Sequence, residues 1–189
     1  MGKRRIIDPR PRLFVAVEGE GEHQFVLWLK KLCEGRGLNL AFDPYGLSGG
    51  DPLAMLSASV DRRRFGVEKG AYARSCLIVD QDRLTVPIDV FRRRVADAGF
   101  TLVLQRPSFE GVLLRLHAGE EASRFEASKQ IIEARLRQKW PDIWDGNRKG
   151  LIFKDQFAAR FTLADLHRAA AHDPDLRALL EFVRLWPPP

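Results

Sequence analysis

Two apolar runs in this chain stop abruptly at acids. Leu13 to Val17 gives way to Glu18-Gly19-Glu20-Gly21-Glu22, and Ser75 to Val79 gives way to Asp80-Gln81-Asp82. An apolar strand gains nothing from carboxylates at its end unless something cationic sits among them, because clustered anions without a cation force one of them to keep its proton. In extended chain Asp80 and Asp82 fall on one side, about 6.5 Å apart at ~3.3 Å per residue. Acids so placed can share hard cations. Mg2+ takes a few carboxylates and keeps several waters and substrate oxygens, and Mn2+ can substitute for it. With no Cys or His ligand nearby, the set does not suit zinc. Glu18, Asp80 and Asp82 are therefore the candidate metal ligands. Glu20 and Glu22 have a second explanation, as negative charges at a helix N-terminus favoured by the macrodipole.

These acids need a scaffold that brings residues 18 and 80 together. Arg12 to Val17 reads as a buried strand, followed by a loop. Phe25, Trp28, Leu29 and Leu32 then recur at helical spacing, so a helix begins beyond the acidic string and runs to about Gly35. Leu38 to Tyr45 is the second expected strand, and Asp51-Pro52 opens the second helix as cap and first residue. Ser75 to Val79 is the third strand, Pro87 opens a third helix, and Thr101 to Leu104 is the fourth strand. This alternation predicts an α/β fold, Rossmann-like, with a mainly parallel sheet of about four strands flanked by helices. From Gly119 the pattern is helical, with loops at residues 141–150 and 172–174. The expected organisation is a basic arm over 1–11, a catalytic domain over 12–118 and a C-terminal helical extension over 119–189 packed on it. In such sheets ligands collect beyond the carboxyl ends of the strands, where Glu18 and Asp80 lie.

The 189 residues, 45% hydrophobic, suffice for a substantial core. No stretch approaches ~18 uncharged apolar residues, so neither a membrane span nor a signal h-region is expected, and a cytoplasmic location follows. Cys33 and Cys76 have no CxxC or Cys/His spacing and are expected as buried thiols. The net charge of +6 gathers in Lys3-Arg4-Arg5, Arg62-Arg63-Arg64 and Arg92-Arg93-Arg94, a field that favours polyanions such as nucleic acid, although two of the triplets also fit solvated helix faces. Trp140, Trp144 and Trp186 could stack on bases, but tryptophans so spaced more often pack helices together.

The strand ending Val17-Glu18-Gly19-Glu20-Gly21-Glu22, the turn Gly49-Gly50-Asp51-Pro52, the strand ending Asp80-Gln81-Asp82, and Pro107-Ser108-Phe109-Glu110 before the apolar segment Val112 to His117 occur in an order and spacing that resemble the RloB-type branch of the Toprim superfamily, and more distantly the OLD-family nucleases. The resemblance covers roughly residues 12–118. It implies a Toprim fold, with Glu18 similar to the family's invariant glutamate, Asp80 and Asp82 to its DxD pair, Glu22 to its second glutamate and metal ligand, and Glu110 to its further acid. Gly21 stands where the family has threonine, and Gly111 where it has tryptophan. A role beside restriction or phage-defence systems, with an ATPase or other defence partner, is also implied.

Among Toprim activities, a topoisomerase would need a nucleophilic tyrosine on a further domain, and the tyrosines are Tyr45 and Tyr72. A primase would need zinc and polymerase regions that this length cannot hold. The expected activity is thus Mg2+-dependent hydrolysis of phosphodiester bonds in DNA or RNA. Glu18 would be ligand or general base and Glu110 a supporting acid, with a cation near the transition state. Arg106, just after the fourth strand, is the first choice for that cation, ahead of Arg83, Lys149 and Lys154. The alternative, favoured by the arginine clusters and by Gly21 and Gly111, is a non-catalytic, basic nucleic-acid-binding accessory subunit.

Overall fold

The computed structural model describes residues 10–47, 49–66, 71–122, 128–146 and 148–187. The Lys3-Arg4-Arg5 cluster lies outside them. Strands β1 (Arg12–Val17), β2 (Ala41–Gly46), β3 (Arg74–Asp80) and β4 (Thr101–Gln105) form one sheet in the order β2-β1-β3-β4, every pair parallel. Helix α1 (Glu20–Gly35) crosses from β1 to β2. Helix α2 (Pro52–Phe65) then returns the chain past β1 to β3, and α3 (Ile88–Asp97) leads on to β4. Right-handed crossovers in opposite directions put α1 on one face and α2 with α3 on the other.

Strand alternation sorts the core accordingly. Leu13, Val15, Val17, Cys76, Ile78 and Val103 face α1, where Phe25, Trp28 and Leu29 meet them. Phe14, Ala16, Leu77, Val79 and Leu104 face the other way, onto Met55, Leu56, Phe91 and Val95. Asp51 caps α2 by accepting from Ala54 N at 3.3 Å, with Pro52 at the first helical position.

The segment after residue 119 joins the α1 side of the core. Helix α4 (Phe109–Arg115) leads into it, and it comprises α5 (Lys129–Lys139), a two-stranded antiparallel hairpin of β5 (Trp144–Asp145) and β6 (Arg148–Lys149), then α6 (Lys154–Arg160), α7 (Leu163–His172) and α8 (Pro174–Phe182). Trp140, Phe157 and Phe161 pack with Phe25 and Trp28, the Trp28 and Phe157 rings stacking with centroids 5.8 Å apart. Trp140 is therefore a packing residue, 4% exposed. Helix α8 lies along β4, where Asp175 Oδ1 accepts from the β4 backbone at Leu104 N, 3.3 Å away.

Several boundaries differ from the sequence expectation. Helix α1 begins inside the acidic string, at Glu20, with Gly19 extended as its N-cap and His23 N bonded to Gly19 O at 3.0 Å. Leu38 to Leu40 form a turn, Leu38 N reaching Cys33 O, so β2 starts at Ala41. Pro87 caps α3 from outside it. The expected loop at 141–150 holds a 3-10 turn over Pro141–Ile143 and the hairpin, whose strands of two residues are too short for a period-two pattern to register. Both cysteines are buried, and burial pushes the Cys33 thiol up to about 12 and the Cys76 thiol higher. Among the described residues no helix is long and apolar enough to cross a membrane.

Candidate active site

Strand order reverses at β1: the chain leaves it toward β2 and comes back on its other side as β3. At such a switch point the two connections diverge and leave a crevice beyond the carboxyl ends of the strands. Glu18 follows β1 and Asp80 ends β3, so both stand in that crevice. Asp80 N donates to Glu18 Oε2 at 3.3 Å, which fixes the two acids together. Their side chains are all but covered, at 8% exposure for Glu18 and 6% for Asp80.

Two more buried acids close on the pair. Glu22 is carried on the first turn of α1, and Glu110 on the first turn of α4. The expected helix from Val112 in fact begins at Phe109, behind an extended Ser108, and this brings Glu110 in as a helical residue. Ser108 Oγ donates to Glu110 Oε2 at 2.6 Å. Two glycines permit the approach. A β-carbon on Gly21 would sit 3.1 Å from the Phe109 ring, and one on Gly111 would sit 2.3 Å from Arg106 O, so neither a threonine at 21 nor a tryptophan at 111 fits this backbone as it stands.

The electrostatics are those of crowded carboxylates. Burial, reinforced by Glu22, Glu18, Glu110 and Asp82, pushes the Asp80 carboxyl up to about 8. Burial likewise raises Glu22, with Glu18 and Glu110 adding to it. Glu110 goes the other way: burial would raise it, but the Lys149 ammonium and the Ser108 hydroxyl outweigh that and hold it at about 2. Lys149, at the end of β6, bonds directly to Glu110 Oε1. Lys129, at the start of α5, stands 3.9 Å from Glu110 Oε2 and 4.0 Å from Asp82 Oδ2. Arg83 Nε lies 3.6 Å from Glu18 Oε1. A cavity of about 260 Å³ opens here, its walls including Glu20, Glu22, Asp80, Phe109, Glu110, Lys149 and Leu151.

Of the acids expected from sequence, the fold gathers Glu18, Glu22, Asp80 and Glu110 at one rim. Asp82 stands beside them but not by strand alternation, since β3 ends at Asp80 and Gln81–Arg83 is a 3-10 turn. Arg106, the first-choice cation, is drawn into α8 instead, with its Nη2 2.9 Å from Asp175 Oδ2. Lys154 begins α6 and its charge acts on Asp155. Among the described residues the cations at the acids are Lys149, Lys129 and Arg83, and of these Lys129 carried no sequence signal beyond its charge. Also unforeseen is Gln105, paired in register with Asp80 on β4, 3% exposed, whose Oε1 has no hydrogen-bond partner.

Behind the rim, Arg115 is fully buried, and desolvation lowers its pKa against the opposing pull of Asp173. It donates to Asp173 Oδ2 at 2.8 and 3.1 Å, and to Arg106 O at 2.8 Å. Asp173 Oδ1 in turn caps α8 through Asp175 N and Leu176 N, both at 3.0 Å. The Arg106 to Glu110 turn is thereby tied to the C-terminal helices. Arginines of the two described triplets also have structural work. Arg63 donates to the carbonyls of Ala98 and Gly99, Arg62 lies over Tyr45, and Arg92 reaches Asp175 at 3.1 Å.

The donor set can be tested for a hard divalent cation. Among the described residues, no group of three or more Asp, Glu, His or Cys side chains is arranged to hold a metal ion. The chemistry of the donors is that of a hard cation such as Mg2+, which uses few protein ligands: the acids offer oxygens, and Asp80 Oδ1 is buried without a hydrogen-bond partner. A buried acceptor left unsatisfied costs about 1–3 kcal/mol, more when charged, and a cation at Asp80 Oδ1 would remove that cost. Comparison with protein-family models, with curated proteins and with solved structures finds no match.

Proposed function

We propose that this chain is a metal-dependent nuclease that hydrolyses phosphodiester bonds of DNA or RNA at the β1/β3 rim, a reading in keeping with a Toprim domain of RloB type and with a place in phage defence. The observation that carries it is Asp80, a carboxylate nine-tenths buried at the switch point, with one oxygen unpartnered and its neighbours Glu18, Glu22 and Glu110 all acids. Asp80 and Glu22, with Glu18 behind them and Asp82 at the margin, would hold Mg2+ or Mn2+. When bound, the cation lowers the pKa of water and screens charge on the phosphate.

The chain's own residues supply the rest. Glu18, held by the Asp80 amide, is placed to orient water and take its proton. Lys149 and Lys129 offer ammonium groups to the phosphoryl oxygens as negative charge builds there. Glu110 and Ser108 keep Lys149 in position in the meantime.

The test is incubation of labelled single- and double-stranded DNA and RNA with wild type, Asp80→Asn and Lys149→Ala in Mg2+, Mn2+ or EDTA. The expected result is a metal-dependent cut lost in Asp80→Asn. Cleavage that survives Asp80→Asn, or that none of the substrates shows, sinks the reading.

One observation favours a second reading, that of a non-catalytic nucleic-acid-binding or accessory subunit. Lys149 and Lys129 already neutralise Glu110 and Asp82, as they would in a site that has replaced its metal with protein cations. That reading expects metal-independent binding, unchanged by Asp80→Asn and weakened by removing exposed arginines such as Arg93 and Arg94.

A further inference from the structure

Leaving the hairpin after Lys149, the chain passes through residues 150–153, outside helix and strand, into α6. Lys149, Gly150, Leu151 and Ile152 line the acidic cavity. Ile152 points into the core, 1% exposed, and Phe153 has extended backbone angles of φ −88° and ψ 156°. Ile152 is thus the anchor, with Lys149 half-buried and Leu151 and Phe153 open on either side of it. Leu151 is 44% and Phe153 53% exposed, two of the large apolar side chains that remain open to solvent among the described residues. The strip is also fixed at both ends, Gly150 N bonding to Ile143 O at 2.7 Å and Phe153 N to Gln156 Oε1 at 2.8 Å.

A row of ammonium, aliphatic and aromatic groups leading out of an acidic cavity has one well-matched occupant. Backbone phosphates of a polynucleotide need cations, and unstacked bases need an apolar or aromatic face. Beside the strip stand the exposed Arg148 and, on α6, Lys154, which complement the phosphates. The cavity, at about 260 Å³, has room for a phosphate group. Its acids repel phosphate unless a divalent cation is present, so occupancy should require one.

Resting on the nuclease reading above, we propose that the Lys149-Leu151-Phe153 strip is a single-strand track, with Phe153 stacking on an unpaired base next to the phosphate held at the acids, so that the substrate class is single-stranded or locally unpaired nucleic acid.

The test is fluorescence anisotropy of the full chain with a labelled twelve-nucleotide single strand and its duplex, in Ca2+ and in EDTA, for wild type, Phe153→Ala and Phe153→Trp. Wild type should bind the single strand more tightly in Ca2+. Phe153→Ala should weaken that binding by about ten-fold and leave duplex binding unchanged, and Phe153→Trp should preserve it. Equal affinity for duplex and single strand, or an unaltered Phe153→Ala, overturns the track. So does a wild-type dimer in sedimentation that Phe153→Ala dissolves while no strand binds, since the strip would then cover a second copy of the chain. Metal-dependent cleavage abolished by Asp80→Asn alongside an unaltered Phe153→Ala removes the track and leaves the nuclease. A Phe153-dependent preference for single strands without any cleavage does the reverse.

Discussion

Replacing Asp80 with asparagine should stabilise the metal-free protein, which is unusual for a buried polar substitution. With an ordinary value of 3.8 and a folded value of about 8, the Asp80 carboxyl holds a proton at pH 7 that it would release on unfolding. Keeping it bound removes on the order of 4 kcal/mol of stability at pH 7, at about 1.4 kcal/mol per unit over roughly three units. Because the folded value is the raised one, this stability is intact below pH 4 and is lost progressively as pH climbs through 8. Asparagine has nearly the same shape and no charge to hold, so the loss should largely vanish. Urea unfolding followed by tryptophan fluorescence in EDTA, from pH 5 to pH 9, measures this directly. Wild type should weaken with rising pH, while Asp80→Asn should give a shallower slope and the higher midpoint at pH 8. Mg2+ or Mn2+ should then raise the wild-type midpoint and leave that of Asp80→Asn where it is. An Asp80→Asn protein less stable than wild type at pH 8, or one with the wild-type slope, would refute the picture of an Asp80 carboxyl buried among other acids.

Two further perturbations probe the surroundings. Glu110 is held at about 2, below its ordinary 4.5, so it contributes stability that is present above pH 4.5 and lost as pH falls toward 2. Lys149→Met should abolish that acid transition and cost on the order of 3 kcal/mol near neutrality, recovered in part by Mg2+, as read from unfolding curves with and without the ion. Asp173→Ala strands the Arg115 guanidinium in the core and should cost about 3–5 kcal/mol, whereas the double substitution Arg115→Met with Asp173→Leu should recover much of it. A double mutant as unstable as the single one would mean that capping of α8, and not the stranded charge, carries the effect.

Much of this architecture was written in residue pattern. The all-apolar runs at β1 and β3 can only be interior strands, and acids at their ends mark the carboxyl rim of a parallel sheet. Glu18 and Asp80 were legible for that reason. Arg106 was misjudged because its nearness to the rim in sequence says nothing of Asp175, far along the chain, which claims it. Lys149 was ranked behind Arg106 and Arg83, and Lys129 was not singled out, because their place depends on how α5 and a hairpin of two-residue strands fold back over the sheet, and such long-range packing leaves no periodic trace. Asp82 was placed by strand alternation although it lies two residues past the end of the strand.

The contact between Asp175 and the backbone of β4 bears on how the molecule must be handled. Leu104 N finds its acceptor on α8, near the end of the chain, and Arg92 and Arg106 converge on the same carboxylate. A chain shortened before Asp173 would leave that flank of the sheet with bare amide groups, an invitation to strand addition from a neighbouring molecule. Fragments designed to isolate the first 118 residues should therefore clump, however complete their motifs look on paper.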